Sequence, residues 1–130
     1  MSTLRADTIQ NTSGGAVTLT NQEAIKAYGM VDGTGTINLI TSFNASGVTD
    51  NGTGDITFSL TNSMSNTTYM FMIDSHNENT SPSTRDATKY TGGQAAGSFR
   101  FFTGYTSNTS GGATAYDEDF NPIALMGDLA

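Results

Sequence analysis

Residues 42–61, SFNASGVTDNGTGDITFSLT, decide how the rest of the chain is read. Asp50-Asn51-Gly52-Thr53-Gly54 gathers the residue types that tolerate positive φ or bond their own backbone, so the chain reverses there. Directly after it, Ile56, Phe58 and Leu60 alternate with Thr57, Ser59 and Thr61. A period of two places the apolar side chains on one face and the hydroxyls on the other. The stretch therefore specifies a β-hairpin in an antiparallel sheet with one wet face.

Working outward, 25–31 (IKAYGMV) reads as a strand ended by the turn Asp32-Gly33-Thr34-Gly35, and 36–43 as the next, with Ile37 and Leu39 on one face. Residues 68–74, TYMFMID, form the most apolar run, continuous rather than alternating, which predicts a strand buried on both faces, either inside a sandwich or against a neighbouring subunit. Residues 76–86 (HNENTSPSTRD) are polar and aperiodic and read as a long exposed loop. Residues 87–91 suit an edge strand. In 98–106, SFRFFTGYT, Phe99 and Phe101 alternate with Arg100 and Phe102; 107–112 is a turn cluster, and 122–126 a last short strand. Before the hairpin, 4–15 suits a short strand or extended arm, 16–20 a second strand, and Asn21 can cap a single turn of helix. Eight or nine short strands separated by turns predict an all-β antiparallel sandwich or jelly-roll-like unit over 25–130, preceded by an N-terminal arm over 1–24.

Composition narrows the function. Hydrophobic residues make up 35% of the chain and charged residues 13%, against roughly 45–50% (glycine included) and a quarter in ordinary domains. Threonine, serine, asparagine and glycine fill the difference, so the private core is small and association with other chains is expected. The net charge of −7, from 12 acidic and 5 basic residues, lacks the basic footprint of a nucleic-acid binder and disfavours an anionic membrane. No stretch has the length of a transmembrane helix, so no membrane insertion is expected. There is no cysteine, which removes disulfides and thiolate metal sites. The opening MSTLRADTIQ lacks the apolar core of a signal peptide, so synthesis in a cytosol is expected.

Chemistry-bearing constellations are sparse. His76 is the sole histidine and has no nucleophile motif beside it, so no catalytic residue is assigned. The glycine clusters lack the GK[ST] ending and following helix of a phosphate loop, and no cofactor is expected. Asp117-Glu118-Asp119 and the Asp50/Asp55 pair offer oxygen ligands for calcium, with Asp50, Asp55, Asp117 and Asp119 the candidates, though neither group has EF-hand spacing and solvated turns are the simpler reading. Aromatic residues gather in the last third. Those not needed for the core, with Tyr90, Phe102, Tyr105 and Tyr116 as candidates, offer a stacking surface for sugar rings.

Two stretches carry a resemblance. LRADTIQNTSGG, from Leu4, is similar to the opening of many short tail-fibre and virion-adhesion proteins of tailed bacteriophages, marine ones especially. Lys26-Ala27-Tyr28, Asp32-Gly33-Thr34-Gly35-Thr36, Ser42-Phe43-Asn44 and Thr49-Asp50-Asn51-Gly52-Thr53-Gly54-Asp55, continued by Ile56 to Leu60, Met64 and Tyr69, resemble in order a recurrent tail-fibre domain. That domain commonly has tryptophan where this chain has Tyr28. The resemblance implies a non-enzymatic virion component, made in the host cytoplasm: a homotrimeric tail-fibre or capsid-decoration subunit. In it the arm attaches to other virion proteins, and 76–130 forms a variable part that faces host surface polysaccharide. Leu4, Ile9, Met70, Phe71, Met72 and Ile73 then become the expected oligomer interface. The competing expectation is a stand-alone carbohydrate-binding β-sandwich, calcium-dependent in one version; a small hydrolase is a distant third.

Overall fold

A computed structural model describes residues 24–77, 84–106 and 113–130, with Ser13 alone ahead of them. The expected arm strands, the helical turn at Asn21 and the turn cluster at 107–112 fall outside the described residues, as do Leu4 and Ile9.

The described chain is all-β. It runs β1 (Ile25–Asp32), β2 (Asn38–Phe43), β3 (Ala45–Gly52), β4 (Asp55–Leu60), β5 (Met70–Ile73), β6 (Thr84–Ala95), β7 (Ser98–Thr106), β8 (Ala113–Ala115) and β9 (Asn121–Met126). These form two antiparallel sheets. One has the order β2-β1-β9-β5; the other has the order β3-β4-β7-β6, with β8 added to β7.

The hairpin forms as its alternation dictates. Ile56, Phe58 and Leu60 are buried, while Thr57 and Ser59 between them face outward. Gly54, with φ of 68°, sits where a Cβ would collide with the Thr103 carbonyl, so glycine is required both by conformation and by space. Strand β7 is long enough to pair twice along one side. Residues 98–102 pair with β4 and 104–106 with β8, and Thr103 at the junction donates its N–H to Gly54 O at 2.7 Å.

The sheets face each other through Ala27, Val31, Ile123 and Leu125 on one side and Ile56, Phe58, Leu60, Phe99 and Phe101 on the other, all buried. They approach closely at Gly29, where a Cβ would stand 2.6 Å from the Phe58 ring. At one side the chain turns the corner between sheets in a single residue. Asn44 adopts φ of 54°, a conformation asparagine tolerates better than most residues. Its side chain clips both flanking segments, donating to Lys26 O and Asn62 O and accepting from Asn62 N.

Two expectations need correction. The run 68–74 does not lie inside the sandwich with both faces covered: β5 is the terminal strand of its sheet, with Met70 and Met72 66% and 60% exposed, so within one copy only its inward face is buried. Phe71 and Ile73 pack inward against the core, and the Phe71 ring lies 4.7 Å from that of Phe99. An uninterrupted apolar run thus conceals an ordinary in-out alternation. The loop expected over 76–86 is also shorter, because His76 pairs with Phe120 in an isolated bridge and β6 already begins at Thr84.

Candidate interaction surfaces

The cross-strand registers align the outward residues of the four-stranded sheet into rows. Phe43, Tyr28, Ala124 and Met72 stand side by side across all four strands. Ile25, Met126 and Met70 form the row on one side of them, and Thr41, Met30 and Pro122 the row on the other. Among these residues only Thr41 and the Tyr28 hydroxyl are polar, and none is charged. Tyr28 and Phe43 stack at 5.8 Å, yet remain 43% and 52% exposed. Ile25 and Ile40 are about as open. Two depressions of about 320 and 200 Å³ flank β5, the first lined by Tyr69, Met70, Met126 and Gly127 with Asn66, Thr68 and Asp128 at its polar side, the second by Met72, Ile73, Pro122, Ile123 and Ala124 with Asp74. A folded sheet rarely turns so continuous an apolar surface to water unless something covers it.

The outer face of the other sheet is built differently. Arg100 donates from Nε to Asp55 Oδ1 at 2.8 Å and from Nη2 to Oδ2, a bidentate pair linking β7 to β4. The guanidinium beside Asp55 outweighs the effect of burial and holds that carboxyl below its usual range. Arg100 also lies 4.1 Å from the Tyr90 ring centre, and Tyr90 packs against Phe102 at 5.1 Å. Next to Phe102, a depression of about 250 Å³ is lined by Asp86, Thr88, Gly104, Thr114 and Ala115. Asp86 accepts from Thr106 Oγ1 at 2.6 Å.

The third polar group is internal. Glu118, fully buried, accepts from Arg85 Nη1 at 2.7 Å, and its other carboxylate oxygen has no hydrogen-bond partner among the described residues. The Arg85 guanidinium also lies 5.6 and 5.5 Å from the ring centres of Tyr105 and Tyr116. Buried Asn121 completes the group, donating to Val31 O and Glu118 O and accepting from Ser75 Oγ. This cluster fixes the passage from β8 to β9, where the chain crosses between sheets.

The aromatic residues singled out for sugar contact therefore divide into two pairs. Tyr90 and Phe102 lie beside the depression on the outer face. Tyr105 meets Tyr116 edge-on at 6.0 Å, and Arg85 holds both.

Three of the four calcium candidates accept hydrogen bonds within the chain. Asp50 accepts from Gly52 N at 2.8 Å, Asp117 from Gly54 N at 2.6 Å, and Asp55 from Arg100. Among the described residues no three acidic or histidine side chains gather around a point where a metal would sit. Of the expected interface residues, Met70 and Met72 are on the surface, while Phe71 and Ile73 belong to the core. Tyr28, Phe43, Met30 and Met126, which complete the apolar face, were not singled out in the sequence; the signal is their common outward phase in β1, β2 and β9. No protein-family model matches the chain, and neither a curated protein nor a solved structure does.

Proposed function

We propose that the protein is a non-enzymatic structural subunit of a bacteriophage particle, a tail-fibre or capsid-decoration protein that works as a homotrimer. The observation that supports it best is the apolar outer face of the four-stranded sheet, a surface suited to assembly rather than to chemistry. The resemblance of the 26–71 stretch to tail-fibre domains supplies the setting. In this reading residues 1–24 attach the subunit to other virion proteins, and the opposite sheet faces outward. Light scattering tests the assembly: a native mass near three times 13.6 kDa, unchanged by EDTA, is expected. A monomer at all concentrations overturns the trimer, and a mass that changes on chelation brings calcium back. Mass spectrometry of purified particles of the encoding phage tests the setting, and absence of the protein from them overturns it.

A second reading has its own observation. The depression beside Phe102 is almost wholly apolar in its lining, with Asp86, Thr88 and Thr114 among the residues around it. These are the elements of a shallow sugar site, whether on a phage fibre meeting host polysaccharide or on a free-standing carbohydrate-binding module. Retention on a glycan array, lost in Phe102→Ala, supports it; no retention removes it.

A further inference from the structure

We infer that the outer face of the four-stranded sheet is covered, in the assembled protein, by the same face of sister copies of this chain, with the β5 edge at the seam. The inference rests on the homo-oligomeric reading above and names the surface through which it is achieved.

Three observations carry it. First, charge selects the partner. The chain carries −7 overall, so copies repel across most of their surfaces, and a basic foreign partner is drawn to the acidic turns instead. The rows built on Phe43–Tyr28–Ala124–Met72 contain no charged residue; Lys26 stands at the β1 bulge, and Asp32, Asp74 and Asp128 stand at the strand ends, Asp128 and Asp74 at the margins of the two depressions. This is the broad area on which two such anions can meet without opposing carboxylates.

Second, among the described residues the face runs out over an unguarded edge. Asp74 N bonds Pro122 O at 3.1 Å. By antiparallel alternation, Met72 and Met70 therefore bond toward β9, while Phe71 and Ile73 turn their N–H and C=O groups to the open side. Exposed edges are ordinarily blunted by charge, proline or a bulge. Strand β6, the edge of the other sheet, has such protection: Arg85, Asp86 and Lys89, and a bulge between Lys89 and Gln94. Strand β5, MFMI, has none.

Third, the shape suits like packing on like. The two depressions flanking β5 accept long flexible side chains, and the face presents methionines to fill them. Four strands and three rows give a footprint on the order of 400 Å². That is half the roughly 800 Å² per partner of a standard interface, so the β5 edge and the flanks must contribute as well.

The absence of cysteine makes a clean test. Met72→Cys introduces a unique thiol on the face, and Thr49→Cys places one on the outward side of the other sheet. With a short bis-maleimide, Met72→Cys is expected to give covalent dimers in high yield and Thr49→Cys nearly none. Met72→Asp, at an exposed position, is expected to retain the β-sheet circular dichroism of the wild type and to reduce its native mass to 13.6 kDa. If the wild type is oligomeric but cysteine at 72 does not cross-link, or Met72→Asp stays assembled, the surface is wrong while the oligomeric reading stands. If the wild type is monomeric, both fall. In that case protection of the thiol at 72 from N-ethylmaleimide would identify the chain's own residues 1–23 as the cover, and free reaction would point to a foreign partner.

Discussion

Two arginine–carboxylate pairs, each set against tyrosine rings, serve opposite ends of this small protein. Arg85 and Glu118 lie inside, with side chains 12% and 0% exposed; Arg100 and Asp55 lie on an outer face, with side chains 35% and 11% exposed. The internal pair fastens the β8–β9 passage, where the chain leaves one sheet for the other. The outer pair ties β4 to β7 and gives its sheet a polar exterior. The four-stranded sheet has no such device on its outer face: its exterior is Phe43, Tyr28, Met30, Met70 and Met72. A chain short of apolar residues has thus left several of its largest ones uncovered on one sheet while using Arg100 to finish the other. That distribution fits a protein whose assembly, rather than its monomer, is the stable unit.

The inner pair is where the comparison breaks most visibly. Glu118→Ala leaves the Arg85 guanidinium in a largely enclosed site without its carboxylate, a change that costs about 3–5 kcal/mol in comparable buried pairs. Urea unfolding should show that loss in full, with no recovery in a Glu118→Gln variant, whose neutral amide does not compensate the arginine. A loss under about 1 kcal/mol would mean that the remaining interactions of Arg85, the two tyrosine rings among them, satisfy it.

Asp55→Asn sharpens the contrast, because Arg100 can turn to water when its partner is lost. A smaller loss is expected, and one that depends on pH. Hydrogen bonding from Arg100 lowers the Asp55 pKa in the folded protein, so its contribution is present above the unfolded carboxylate value of about 3.9. It fades as pH falls through the lower folded value. The difference in unfolding midpoint between wild type and variant should therefore be constant from neutral pH down to about 5 and should close below about 4. A difference that persists unchanged in strong acid would assign it to packing instead.

How much of this was legible in the sequence follows from the range of each signal. The hairpin was legible because a turn and a period of two are local: Ile56, Phe58 and Leu60 face the core where their alternation puts them. Strands β1, β7 and β9 were legible for the same reason. The in-out phase of the TYMFMI run was not, because four apolar residues in succession carry no alternation to read. The corner at Asn44 is one residue long and leaves no pattern. Glu118 read as one of three solvated acids since the arginine that holds it is 33 positions away. Nothing local distinguishes it from Asp117, which does no more than cap a turn. The sugar-contact aromatics were gathered by composition, and only the sheet divides them between a pair beside Arg100 and a pair around Arg85, of which Tyr116 stays 42% exposed.

The open side of the sandwich, where β5 and β6 are both edges, is closed by a lighter fastening. Tyr69 Oη stands 3.0 Å from both Ala95 O and Ser98 O, and Gln94 Nε2 donates back to Tyr69 O at 2.6 Å. One phenol proton serves two carbonyls, so Tyr69→Phe removes a shared bond and is expected to cost about 1 kcal/mol, the smallest of the three losses. Burial pushes the Tyr69 phenol up to about 12, while the unfolded value is about 10. A raised pKa favours the folded protein below pH 10, and that contribution is lost as pH rises toward 12. Wild type should lose stability across that interval, and Tyr69→Phe should lose less. Equal slopes would mean that the phenol opens to water before it ionises, and that β5 already parts from β6 in the native protein. Such parting would make the β5 edge more available to a sister copy, and cross-linking at position 72 should then rise with pH in step with it.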